Sequence, residues 1–82
     1  MPTMSERQVY AAAQRYSMVI EWSDEDAAYI VTVPELPGCQ THGTTHAEAV
    51  RQGEDAIATW LTTARAHGDP IPLPRVFMTS MI

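Results

Sequence analysis

The sequence contains a single cysteine, Cys39, among its 82 residues. No intramolecular disulfide can form, which excludes a small secreted domain held together by disulfides. The uninterrupted apolar runs are far shorter than the roughly 20 residues that a membrane-spanning helix needs. No signal-peptide pattern opens the sequence. These absences predict a small cytoplasmic domain without a membrane anchor.

Basic residues are also scarce: five arginines and no lysine stand against ten acidic residues, for a formal net charge of −5. No basic residue lies between Arg15 and Arg51, where the acidic residues are Glu21, Asp24, Glu25, Asp26, Glu35 and Glu48. The sequence lacks the Lys and Arg stripe that neutralises phosphates, so direct nucleic-acid binding is not expected. A negatively charged surface favours binding to a basic partner. It is equally compatible with a role in solubility alone, and the charge pattern leaves both interpretations open.

Hydropathy patterning predicts a helix, three strands, a long helix and a final strand. Residues 1–15 form the first helix, with Ser5 as its N-cap. Strands are predicted over residues 16–22, 29–33 and 39–42, from apolar alternation and β-branched content. Thr45 and Glu48 form a capping box for the second helix, which ends near Ala66 before Gly68. This order predicts an α+β domain of two layers, a helical layer on a sheet.

Three residues of the predicted core raise specific questions. Gly53 lies within the apolar stripe of the long helix, where glycine costs about 1 kcal/mol relative to alanine. We therefore expect a strand or a second helix to approach the backbone closely at Gly53. Trp22 and Trp60 are suited either to filling the core between helix and sheet or to contacting a partner.

The length allows one domain, residues 1–82, which divides into an N-terminal helix (1–15), a core (16–68) and a proline-rich exit with a C-terminal strand (69–82). A chain this short buries only roughly 60% of its unfolded surface. Small domains commonly gain stability from disulfides, metals or oligomerisation. We therefore predict a homodimer or homotetramer, with an interface formed by Val76, Phe77, Met78 and Met81. Packing of this strand on its own sheet edge is the alternative.

The sequence shows no catalytic or metal-binding constellation. Cys39, His42 and His46 have a spacing compatible with metal ligation, but no further Cys/His pair completes a zinc site. A two-metal nuclease needs carboxylates that converge from neighbouring strands, and only Glu21 lies in a predicted strand. Nearby histidines could supply the base that a nucleophilic Cys39 needs, but the sequence shows no third group and no oxyanion donor. We predict that the chain is not an enzyme and needs no metal or cofactor.

Residues 16–75 resemble the HicB-like antitoxin family. The resemblance rests on the aromatic strand Tyr29-Ile-Val-Thr-Val33, the turn Pro34-Glu-Leu-Pro-Gly-Cys39, the helix start Gly43-Thr-Thr-His-Ala-Glu-Ala49 and the exit Ile71-Pro-Leu-Pro74. It implies a partial ribonuclease-H-like core of order β-β-β-α-β. It also implies a function, which is to bind and neutralise a small, basic HicA-type toxin that degrades messenger RNA.

The expected toxin-binding residues are acidic: Glu21, Asp24, Glu25, Asp26 and Glu35. Longer members of the family carry a DNA-binding module after this core. The residues after Gly68 are too few for such a module, so operator binding is not expected of this sequence. The alternative function is a solitary homo-oligomeric module with a structural or regulatory role and no toxin partner.

Overall fold

The computed structural model describes residues 6–77, so the predicted cap Ser5 and the predicted interface residues Met78 and Met81 lie outside it. Two helices and three strands follow one another in the order α1 (Glu6–Ala13), β1 (Val19–Ser23), β2 (Ala28–Thr32), β3 (Gln40–Gly43) and α2 (His46–His67). This order confirms the predicted α+β fold.

The three strands form one antiparallel sheet in the order β1-β2-β3. Val31 pairs with Ile20 of β1 and with Thr41 of β3. Its side chain is fully buried beneath α2. A Cβ atom added to Gly53 of α2 would lie 3.1 Å from Val31 Cγ1 and would overlap Met18 Sδ. The predicted close approach at Gly53 is therefore confirmed: it brings the helix backbone onto the sheet.

Both ends of α2 follow the sequence signals. The Thr45 hydroxyl accepts a 3.0 Å hydrogen bond from the Glu48 backbone N–H, while the Glu48 carboxylate accepts one of 2.8 Å from Thr44 N–H. The capping box thus forms, but the Glu48 carboxylate accepts from Thr44 N–H, whereas in the usual pattern it accepts from the N–H of the N-cap residue, here Thr45. At the other end, Gly68 adopts a left-handed conformation with φ 69°, and Asp69 N–H bonds the Ala64 carbonyl at 2.9 Å.

The chain direction gives the domain two distinct ends. The acidic end comprises residues 21–27, which finish β1 and form the β1–β2 loop, and residues 44–46, which lead into α2. The tail end comprises the β2–β3 loop, residues 33–39, and the segment after α2, residues 68–77. The five residues of β2 separate the two ends by roughly 15 Å, at about 3.3 Å per residue.

The segment after α2 runs across the tail end. Ile71 packs against the core, and the buried Tyr16 donates a 2.6 Å hydrogen bond to the Pro72 carbonyl. Residues 69–77 contain neither helix nor strand, so the final strand that the sequence predicts from Arg75 to Ile82 is wrong over residues 75–77. Residues 78–82 lie outside the description. Neither described helix has the length and hydropathy to cross a membrane.

The first strand begins later than its alternating pattern predicts, at Val19 instead of Tyr16. Tyr16 N–H bonds the Ala13 carbonyl at 3.2 Å and so prolongs the end of α1. Ser17 N–H bonds the Glu35 carboxylate instead of a neighbouring strand. The local bond of Tyr16 to the end of α1 and the long-range bond of Ser17 to Glu35 thus delay the start of the strand.

Candidate functional site

Four of the predicted partner-binding residues lie close together in the fold. Asp24, Glu25 and Asp26 occupy the exposed loop between β1 and β2, and Glu21 lies exposed two residues before the end of β1. The loop is held by its own side chains: Asp26 N–H bonds Ser23 Oγ at 3.2 Å, and Ser23 Oγ donates to the Asp26 carboxylate at 3.1 Å. The acidic end therefore presents a small, locally ordered group of carboxylates.

An aromatic stack borders these carboxylates. Trp22 meets Tyr29 edge to face, with ring centroids 5.0 Å apart, and Tyr29 lies against the His46 ring at 4.1 Å. Trp22 Nε1 donates a 2.8 Å hydrogen bond to the Asp24 carboxylate. The Trp22 side chain remains 52% exposed. The acidic end therefore combines negative charge with an accessible indole ring, a combination that suits Arg and Lys side chains.

Glu35 lies at the tail end, away from the other four predicted residues. Its carboxylate accepts hydrogen bonds from Ser17 N–H at 3.0 Å, from Ser17 Oγ at 3.0 Å and from Arg75 N–H at 2.8 Å. One side chain thus joins the β2–β3 loop, the start of β1 and the segment after α2. The Glu35 carboxylate, which was expected from the sequence to bind a partner, forms hydrogen bonds within its own chain.

The ionisation of Glu35 follows from these contacts. Burial alone raises its pKa, but the hydrogen bonds from the Arg75 and Ser17 backbones, from its own backbone and from the Ser17 hydroxyl outweigh it, and the pKa lies below its ordinary value. Burial, together with the negative charge of Glu35, raises the pKa of Tyr16. Glu35 is therefore a carboxylate at neutral pH and Tyr16 a neutral phenol.

The possible metal ligands do not assemble within residues 6–77, where no group of three or more His, Cys, Asp or Glu could hold an ion. His46 stacks on Tyr29, His42 is exposed on β3, and Cys39 is buried. Burial raises the pKa of the Cys39 thiol, which makes it a poor nucleophile at neutral pH.

The predicted oligomer interface is only partly described. Val76 and Phe77 are 68% and 91% exposed. Trp60 differs from Trp22 because it packs against the core, and its Nε1 donates a 3.0 Å hydrogen bond to the Pro37 carbonyl. Trp22 is therefore the more accessible of the two tryptophans to a partner.

Comparison with known proteins identifies the family. Residues 16–81 match the family model described as the HicB-like antitoxin of bacterial toxin–antitoxin systems. The chain belongs to the HicB-like antitoxin family. It is 40% identical over 58 residues to UPF0150 protein Ta0767 of Thermoplasma acidophilum, which covers 71% of this chain and 83% of that protein. A UPF0150 protein of Archaeoglobus fulgidus is 40% identical over 47 residues, 57% of this chain and 67% of that protein. No solved structure matches the chain significantly.

Membership of the HicB-like family supports an antitoxin role for this domain and a toxin as the kind of partner. The sequence patterns missed two features of the site. The pairing of Trp22 with Tyr29 depends on strand register, which a careful alignment of the two alternating strands would have given. The bonds of Glu35 to Ser17 and Arg75 had no signal in the sequence.

Proposed function

We propose that this HicB-like domain binds and neutralises a small, basic HicA-type toxin that degrades messenger RNA, by covering the toxin's active face. Family membership over residues 16–81 is the observation that carries this proposal. The acidic end supports it, because four exposed carboxylates lie within residues 21–26 and the exposed Trp22 donates a hydrogen bond to one of them, Asp24. The chain acts in this role as a binding protein and not as an enzyme.

Charge complementarity provides the physical basis of the proposed recognition. A protein that binds RNA presents Lys and Arg side chains to the phosphates. Glu21, Asp24, Glu25 and Asp26 present carboxylates to the same side chains and thereby compete with RNA. Such charges accelerate association and select partners. Trp22 would contribute affinity at the centre of the contact, as exposed tryptophans commonly do in interfaces.

Co-expression with the product of the neighbouring open reading frame tests the proposal. We expect a small basic protein that co-purifies with this chain and whose RNA cleavage the chain suppresses. A neighbour of another kind, or one that does not co-purify, would contradict the proposal.

A matched pair of charge reversals then locates the interface. Glu25→Lys lies at the acidic end, and Glu54→Lys makes the same change of net charge on α2. We expect Glu25→Lys to weaken toxin binding and Glu54→Lys to leave it nearly unchanged. Equal effects would mean that overall charge, and not the acidic end, determines binding.

A second candidate function is a solitary homo-oligomeric module with a structural or regulatory role. The exposure of Val76 and Phe77 favours self-association, which is compatible with either function. A gene without a toxin neighbour, together with a stable homodimer or homotetramer, would favour this second candidate.

A further inference from the structure

An open groove of about 780 Å³ runs between α2 and β3. One wall consists of the α2 residues Gln52, Ala56, Thr59, Trp60 and Thr63, and the other consists of residues 37–41. Asp69, Pro70 and Pro72 border the groove at the tail end. Its lining is mainly apolar and includes no basic residue.

Part of one wall of the groove, Gln40 and Thr41, belongs to the outer edge of β3. In the strand order β1-β2-β3, β3 has a single neighbour among the described residues. Val33 N–H bonds the Cys39 carbonyl at 3.0 Å. Because backbone groups alternate in direction along a strand, those of Gln40 and His42 point away from β2. Such an edge, with a helix beside it, is the arrangement to which extended peptides add as a further strand.

The segment after α2 carries apolar side chains that have no cover among residues 6–77. Leu73, Val76 and Phe77 are 84%, 68% and 91% exposed. The sequence continues Met78-Thr-Ser-Met-Ile82, beyond the described residues. The chain thus contains both an apolar groove and an apolar segment. Within residues 6–77, the segment does not fill the groove.

The chain's own segment leads away from the groove. Pro72 still borders it, but Pro74 lies in a different cavity, beside Ala12 and Arg15. The bond from Arg75 N–H to Glu35 then holds the backbone near Ser17, at the start of β1. A second copy can place the same segment in the groove from outside. Its segment does not have to turn back toward the groove after Pro74, as the chain's own segment would.

The length and the apolar character of residues 76–82 agree with that occupant. From Gln52 to Thr63, α2 extends about 16 Å at about 1.5 Å per residue, which roughly five residues of extended strand cover. Residues 76–82 provide that length. Residues 76–82 carry no charged side chain, which fits a groove whose lining is mainly apolar.

We propose that residues 76–82 of one copy add as a strand to the free edge of β3 of a second copy and place their apolar side chains in its groove, and that the exchange is reciprocal. The symmetry of such a pair is twofold, because each copy gives the same segment and receives the same segment. This inference is independent of the toxin partner.

Sedimentation equilibrium of matched variants tests the proposal. We expect the unaltered chain to have twice the 9.1 kDa monomer mass at micromolar concentration. Phe77→Asp alters the donated segment, and Thr63→Arg fills the groove; each is expected to raise the dimer dissociation constant about tenfold or more. Thr62→Arg is the control, since Thr62 is exposed on α2 outside the groove, and we expect it to remain dimeric.

Mixing the variants distinguishes this contact from any other dimer. Phe77→Asp retains an intact groove, and Thr63→Arg retains an intact segment, so the mixture can form one of the two contacts and is expected to form mixed dimers that neither variant forms alone. A synthetic peptide of residues 73–82 should bind the Phe77→Asp variant and not a variant carrying Thr63→Arg as well.

Three outcomes would overturn the proposal. A monomer at micromolar concentration would mean that the segment remains on its own chain. A dimer that Thr63→Arg leaves intact would place the contact elsewhere, for example on the edge of β1. If the mixture forms no dimers, the segment of one copy does not bind the groove of the other, and reciprocal exchange is excluded. Circular dichroism of each variant verifies that folding is retained.

Discussion

Replacement of Glu35 tests whether one carboxylate joins the three segments at the tail end. Three donors converge on Glu35 Oε2: Ser17 N–H, Ser17 Oγ and Arg75 N–H. At roughly 1 kcal/mol for each hydrogen bond, and allowing for the solvent access of this half-buried group, we expect Glu35→Ala to lower the free energy of unfolding by about 2 kcal/mol. Glu35→Gln retains an acceptor oxygen but loses the charge, and we expect a loss of about 1 kcal/mol.

The pH dependence of the free energy of unfolding distinguishes the contribution of the Glu35 charge from that of its side-chain shape. The pKa of Glu35 lies below its ordinary value of 4.5. The ionised carboxylate therefore contributes its full stability above the unfolded pKa, and the contribution is lost as the pH falls through the folded pKa. The difference between the natural chain and Glu35→Gln should be largest near neutral pH and should shrink in acid.

Urea unfolding at neutral and acidic pH measures these differences, at one fixed protein concentration because self-association also stabilises the fold. Hydrogen exchange adds a local measurement, since the Arg75 amide should lose protection in Glu35→Ala. Glu21→Gln provides the control, because Glu21 is exposed on β1. The reasoning is refuted if Glu35→Gln is equally destabilising at both pH values, or if the Arg75 amide stays protected in Glu35→Ala.

Three further predictions concern the packing at Gly53, the N-cap at Thr45 and the burial of Cys39. Gly53→Ala should destabilise the domain by about 1 kcal/mol in urea unfolding, because the cost of the overlap of its Cβ with Met18 exceeds the helix propensity that alanine gains, about 1 kcal/mol; a gain in stability would show that Met18 or the helix moves away freely. Thr45→Ala should cost about 1 kcal/mol through loss of the N-cap bond to Glu48, and an unchanged unfolding midpoint would contradict this. The Cys39 thiol should react with a disulfide reagent far more slowly in the native chain than in urea; equal rates would contradict its burial.

Local signals account for most of the fold that the sequence predicts. Thr45 and Gly68 mark the ends of α2 because capping depends on residues within one turn of the helix. The apolar alternation around Ile20 and the β-branched content around Ile30 indicate two strands, because side chains in a strand point to opposite faces in turn and β-branched side chains pack well on a sheet. The short connection between these strands leaves an antiparallel hairpin as the simplest pairing.

Contacts between distant parts of the chain account for what the patterns missed. Glu35 bonds residues 18 and 40 positions away, so its neighbours in the sequence give no indication that its carboxylate is engaged. Trp22 is on the inner face that its alternation predicts, opposite Tyr29, yet it is half exposed. It lies at the end of β1, beside which the described residues place no further strand. Exposure of this kind depends on tertiary arrangement and not on periodicity.

The positions of the two proposed surfaces make the two proposals separable. The acidic end carries the carboxylates and Trp22, whereas the groove begins at the tail end and is lined by α2 and β3. A substitution such as Thr63→Arg can therefore disrupt the proposed dimer without altering any residue of the acidic end. Retention of toxin binding by a monomeric Thr63→Arg variant would show that one domain suffices for recognition. Loss of binding in that variant, but not in Thr62→Arg, would mean that two copies must present their acidic ends together, which is the behaviour of a bivalent inhibitor.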